Sequence, residues 1–106
     1  MGVNNALTEA VYYILLSLLQ PMHGYGIMQN VERLSGGRLR LAAGTLYGAI
    51  STMLEKGWIT ALDHGSADSR KKEYVITETG IGMLRAEYAR LKELVDNGRA
   101  ALEGEQ

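Results

Sequence analysis

The stretch GTLYGAISTMLEKGWI, residues 44 to 59, has two unlike faces. With Leu46 at zero on a 3.6-residue wheel, Ala49, Ile50, Met53 and Leu54 share one sector, while Thr45, Gly48, Ser51, Thr52 and Glu55 fall opposite. The first set predicts a helix over residues 43 to 56, buried along one stripe and ended by Gly57 in the left-handed conformation. The second set is not the charged surface of an ordinary solvated face. Small hydroxyls beside glycine imply that another molecule comes close there.

Working outward, Thr8 is expected to cap a helix running to about residue 19, where Gln20 and Pro21 end it. This segment, EAVYYILLSLL, is apolar nearly all round, as a helix sandwiched between other elements must be. After HGYG, Ile27, Val31 and Leu34 mark a second helix that stops at Gly36 and Gly37. Residues 38 to 41 alternate and suit a short extended piece. Downstream, WITALD and KEYVIT alternate and are expected to pair as a hairpin whose polar tip spans residues 64 to 71. Thr77 caps a last helix in which Ile81, Leu84, Tyr88, Leu91 and Val95 are spaced three, four, three and four.

Three helices, a hairpin and a long helix give the order of a mainly α fold with a β-hairpin wing. The expected architecture is a winged helix-turn-helix plus a long C-terminal dimerisation helix, with residues 1 to 77 and 78 to 106 forming one compact unit. The last stripe covers roughly 33 Å at about 1.5 Å per residue, more than so small a core can bury. A second copy of the chain, packing through Val11, Leu15, Ile81, Leu84, Tyr88, Leu91 and Val95, is the economical cover.

The bulk composition agrees with one soluble domain: 106 residues, 46% hydrophobic and 22% charged. The chain has no cysteine, which excludes a disulfide framework and a thiolate zinc site and fits a reducing cytoplasm. No basic residue precedes the first apolar run, so no secretory leader is expected, and Ala6 breaks the myristoylation pattern. That run, residues 10 to 19, is far short of the roughly 18 residues of a membrane span. The expectation is a cytoplasmic protein away from membranes. The net charge of -1 conceals a basic middle: residues 33 to 72 hold seven bases against three acids, or +4, flanked by -2 before and -3 after. A local anionic partner follows from that distribution.

Four blocks in order, LTEAVYYILLSLL, HGYGI, GTLYGAISTMLEKGWI and SRKKEYVITETG, resemble the PadR family of bacterial transcriptional regulators over residues 6 to about 95. The single C-terminal helix resembles the family's smaller subclass. The resemblance implies a homodimeric repressor on an operator, often released by a small molecule. Gly48 departs from the family, where a proline commonly follows GTLY. Drug-sensing members carry a tryptophan in the last helix; here the single Trp is Trp58 and the nearest aromatic there is Tyr88, which argues against flat aromatic drugs.

Candidate contacts to double-stranded DNA follow from side-chain chemistry. Small polar residues let a helix backbone approach base edges while still hydrogen-bonding, which suits Thr45, Ser51 and Thr52. Gly44 and Thr45 lie in the first turn, where free amides favour a phosphate, and Tyr47 has a hydroxyl at the stripe's edge. Arg70, Lys71 and Lys72 at the wing would reach the backbone, with Arg38 and Arg40 leading into the helix. An effector, if used, is expected near Tyr12, Tyr13 and Tyr88.

Catalysis has little support. Asp63, His64, Ser66, Asp68 and Ser69 share one turn, with no rigid element to fix a triad. His23 and His64 lack metal-ligand spacing, and GYGIMQ lacks the third glycine and preceding strand of a dinucleotide site. No enzyme, cofactor or metal is expected. The surviving alternative is a winged-helix docking module that binds protein and not DNA.

Overall fold

Thr8 opens the first helix, α1 (Glu9–Ser17), its side-chain oxygen accepting from the Val11 amide at 3.1 Å. The computed structural model describes residues 6–62 and 72–104. A two-residue strand, β1 (Met22–His23), follows and leads directly into α2 (Gly24–Leu34). Helix α3 (Ala43–Glu55) comes next, then β2 (Ile59–Leu62), β3 (Glu73–Ile76) and the 25-residue α4 (Glu78–Leu102).

Helix α2 and helix α3 end in the same way. Gly36 and Gly57 take φ of 64° and 75°, and the next residue's amide reaches back to a carbonyl five positions earlier: Gly37 to Glu32 at 2.8 Å and Trp58 to Met53 at 2.9 Å. This pattern satisfies carbonyls that the last helical turn leaves open. Glycine is suited to both positions because side chains disfavour positive φ.

The core forms where the helical stripes meet one face of the sheet. Ile14, Leu15 and Leu18 pack with Ile27 and Val31 of α2 and with Leu46, Ile50 and Met53 of α3. From the sheet come Ile59, Tyr74 and Ile76, and from α4 Leu84. Residues Ile59 and Ala61 face Ile76 and Tyr74 across the β2–β3 register, so all four share one side. Trp58, by contrast, only half-buries, with Lys56 Nζ 5.4 Å from its ring centroid.

The architecture is mostly helical with a winged helix and a long C-terminal helix, as the sequence predicts, and several details differ. Among the described residues the sheet has three antiparallel strands in the order β1-β3-β2, because Met22 and His23 pair with Tyr74 and Glu73. Helix α1 stops at Ser17, two residues early, where the Leu18 and Leu19 amides tighten onto the carbonyls three residues back, Leu15 at 3.1 Å and Leu16 at 3.3 Å. Residues 38 to 41 form no strand; Leu39 and Leu41 instead tuck against the core. Leu15 and Leu84, expected in the dimer stripe, lie in the chain's own core. Both are buried within a single copy of the chain.

Candidate nucleic-acid interface

Helix α3 carries the candidate surface, and its orientation follows from its stripe. Burial of Leu46, Ile50 and Met53 turns Gly44, Thr45, Gly48, Ser51 and Thr52 outward, where all five are exposed. Ala42 precedes the helix and supplies no side-chain cap, unlike Thr8, His23 and Thr77 at the other three helices. The opening amides of α3 therefore keep their hydrogen-bonding capacity, and the positive end of the helix dipole faces outward with them.

Tyr47 combines two surroundings. It is 41% exposed, yet its phenol rests so closely on the start of α2 that a Cβ at Gly24 would collide with the hydroxyl. The tight turn expected at HGYG thus serves as a seat for the tyrosine. Burial, with Tyr47 nearby as a secondary cause, raises the pKa of Tyr74 in the adjoining strand.

His23 caps α2 through Nδ1, which accepts from the Gly26 amide at 3.4 Å. Asn30 of α2 donates to Ser17 Oγ at 2.8 Å, and Ser17 in turn donates to the Tyr13 carbonyl, also at 2.8 Å. Of these, the Asn30–Ser17 bond ties α2 to α1.

The expected basic residues are distributed unevenly. Arg38 Nη1 donates to Glu9 at 2.9 Å and Arg40 Nε lies 3.2 Å from Glu32. A hydrogen bond from Arg38 holds Glu9 below the usual carboxylate range and raises the arginine correspondingly. Both pairs are exposed, where solvent screens such bridges and leaves them weak, so a phosphate can compete with the carboxylates. Lys72 is exposed at the base of the wing, next to the Leu62–Glu73 register. Arg70 and Lys71, like Asp63, His64, Ser66, Asp68 and Ser69, lie outside the described residues.

Away from α3, a groove of about 220 Å³ runs between α1 and α4, lined by Tyr12, Leu16, Leu19, Ile81, Leu84, Arg85 and Tyr88. Tyr12 and Tyr88 also border an adjoining hollow that continues to Leu91, Val95 and Arg99. Tyr12 and Tyr13 together line a further hollow with Glu9, Glu87 and Arg90. Tyr12 therefore borders each of these hollows, sharing two with Tyr88 and the other with Tyr13. Burial raises the Tyr12 pKa, with Tyr88 and Glu87 adding to the effect.

Sequence reasoning missed a polar clamp beside this groove. Glu87 is only 4% exposed and accepts from Arg90 Nε and Nη2 at 2.8 and 2.6 Å, and from the Leu7 amide at 3.1 Å. Its carboxyl is held below the usual range, chiefly by Arg90. An acid three residues after Leu84, with an arginine three further on, was the available signal. Among the described residues, no cluster of three or more His, Cys, Asp or Glu is placed to hold a metal ion, and no helix is long and apolar enough to cross a membrane.

Solved structures share this architecture. A PadR family transcriptional regulator from Eggerthella lenta superposes with a TM-score of 0.70 at 24% identity, covering 89% of this chain and 81% of that one. A transcriptional regulator from Clostridium thermocellum gives 0.64 at 24% identity over 84% and 89%. The Bordetella bronchiseptica regulator BpsR, whose DNA binding is regulated by 6-hydroxynicotinic acid, gives 0.70 at 16% identity over 94% and 70%. At these identities the likeness establishes the fold. Among curated proteins, none matches the chain. The sequence model of the PadR-like transcriptional regulator family matches residues 14–86, well over half of the chain, and the chain therefore belongs to that family.

Proposed function

We propose that this PadR-like regulator is a homodimeric repressor that binds double-stranded DNA in the cytoplasm and is released by a small molecule. The observation that carries the reading is the outer face of α3: uncharged until Glu55, small, hydroxyl-bearing and exposed on a winged-helix scaffold. In this reading α3 enters the major groove, and Gly44 and Thr45 present the uncapped helix start to a phosphate. Tyr47 adds a phenol at the same edge. Arg38 and Arg40 exchange their carboxylates for phosphates, while Arg70, Lys71 and Lys72 follow the backbone from the wing.

Dimerisation rests on α4. Tyr88, Leu94 and Val95 are 60%, 53% and 59% exposed, a concentration of apolar surface that a partner's α4 and α1 would cover. Ile81 and Leu91 line the hollows beside it, Val11 and Leu15 of α1 and Leu84 complete the proposed set, and the helix serves as the dimerisation element of the compact unit. The groove at Tyr12 and Tyr88 then lies against the partner, so a molecule bound there would alter how the two subunits sit. Regulation of the Bordetella protein's DNA binding by an aromatic acid supports an effector of modest size.

The direct test is a mobility shift with genomic DNA fragments at low and high salt. Binding that weakens steeply with salt is the expected result, since phosphate contacts release counterions. No shift even at low salt would leave the protein-docking reading in its place.

A further inference from the structure

The side chains that α3 offers to solvent limit what it can read. From Ala43 to Leu54 the helix has no Arg, Lys, His, Asn, Gln or Asp. The forked donors that select guanine, and the amides that select adenine, are therefore missing from this stretch. Glu55, the last residue of the helix, has a carboxylate that can only accept, from the exocyclic amino group of cytosine or adenine.

The three outward hydroxyls are not equivalent. Thr52 Oγ1 donates to the Gly48 carbonyl at 3.2 Å, whereas the hydroxyls of Thr45 and Ser51 have no partner among the described residues. The bond commits the Thr52 hydrogen to the helix and fixes its rotamer, so that the side chain meets another molecule with its methyl and an oxygen that can accept but not donate. Glycine one turn earlier clears the approach. A Cβ at Gly48 would meet nothing within 4 Å, so the chain's own packing does not demand glycine there, although glycine weakens a helix relative to alanine.

The one apolar group on the floor of the major groove is the thymine C5-methyl. Resting on the DNA-binding reading above, we propose that Thr52 is a specificity-determining residue whose methyl packs on a thymine methyl. Selection of an A·T pair at that position then comes from apolar contact and not from a hydrogen bond.

Selection of bound duplexes from a random-sequence pool, followed by resynthesis of the enriched duplex with deoxyuridine at each thymine in turn, tests this. Uracil keeps every hydrogen-bonding group of thymine and lacks only the methyl. One thymine per half-site should prove sensitive, with binding about fourfold weaker, the equivalent of one buried methyl. Thr52→Val, which retains a methyl and loses the hydroxyl, should bind within about twofold of the parent. Thr52→Ser should lose about as much as uracil replacement does, and lose nothing more on the uracil duplex. The position is exposed, and thermal melts confirm that each variant folds. Enrichment of a duplex that is indifferent to uracil at every thymine, or a Thr52→Val variant as weak as Thr52→Ser, overturns the thymine contact and leaves DNA binding intact. Failure to enrich any duplex overturns DNA binding itself, and the contact with it.

Discussion

A methyl group added at Gly80 would collide with the Trp58 carbonyl oxygen and crowd Ile76, whereas one added at Gly82 would meet nothing within 4 Å. Both glycines belong to α4, so alanine's better helix propensity is common to the two sites and packing decides the difference. Gly80→Ala should lower stability by about 1–3 kcal/mol, and Gly82→Ala should raise it by up to about 1 kcal/mol. Urea midpoints measure both; a neutral Gly80→Ala would show that the contact with Trp58 is not tight. Glu87 offers a second test at this scale. Its folded pKa lies below the unfolded value of about 4.3, so its pairing stabilises the protein above that pH, and the contribution is lost as acid titrates the folded group. Glu87→Gln should therefore melt lower than the parent at neutral pH and lose less between about pH 5 and pH 3. Parallel acid limbs would show that the carboxylate contributes nothing as a charge. Neither residue was legible in advance. Gly80 is one glycine among thirteen, and what makes it necessary is a carbonyl 22 positions away in the chain, Trp58. Glu87 reads as a solvated charge until α1 is laid over it.

At the level of the element, local chemistry was the most readable. Thr8, Thr77 and Gly57 announced helix ends because capping depends on residues within one turn. Thr77 does more than cap α4: it accepts from the Gly80 amide at 3.1 Å and donates to the Gly57 carbonyl at 2.6 Å, joining the turn after α3 to the long helix. Strand β1 escaped the sequence reading because two residues have no period, and its pairing is decided by β3, about fifty positions on. Residues 38 to 41 alternate like a strand yet are held by Leu39 and Leu41 sinking into the core. The face of α3 was recognised from its wheel, but the differing states of its hydroxyls depend on rotamers that no periodicity encodes. The wing yields a prediction of its own. Lys71→Ala with Lys72→Ala should weaken binding to all duplexes, and should reduce the slope of log affinity against log salt by roughly one unit for each phosphate that is no longer neutralised. An unchanged slope in titrations across salt would remove the wing from the interface.

Across the whole molecule, the heptad-like stripe of α4 foretold a helix longer than its domain, and α4 does extend beyond the core in a body measuring 60 × 32 × 21 Å. Which members of the stripe face inward was not legible, because it depends on the angle at which α1 crosses α4. Leu84 is enclosed by one chain; Tyr88 and Val95 are not. Leu91→Asp with Val95→Asp should convert a dimer into a folded monomer in sedimentation and abolish tight binding to a two-half-site duplex. Retention of the dimer would place the association elsewhere. In the proposed dimer, the paired α3 helices should prefer half-sites about 34 Å apart, one duplex turn, and affinity should fall when a few base pairs are inserted between them. The continuity of α4 has a mechanical consequence. From Leu84 to Leu102 it rises about 27 Å at about 1.5 Å per residue, without a proline to bend it. A stiff rod pivoted at one end amplifies: tilting it by about 5° at the Tyr12–Tyr88 groove swings the far tip by roughly 2 Å. In the proposed dimer, a molecule small enough for that groove would act on the spacing of two distant reading heads through leverage alone.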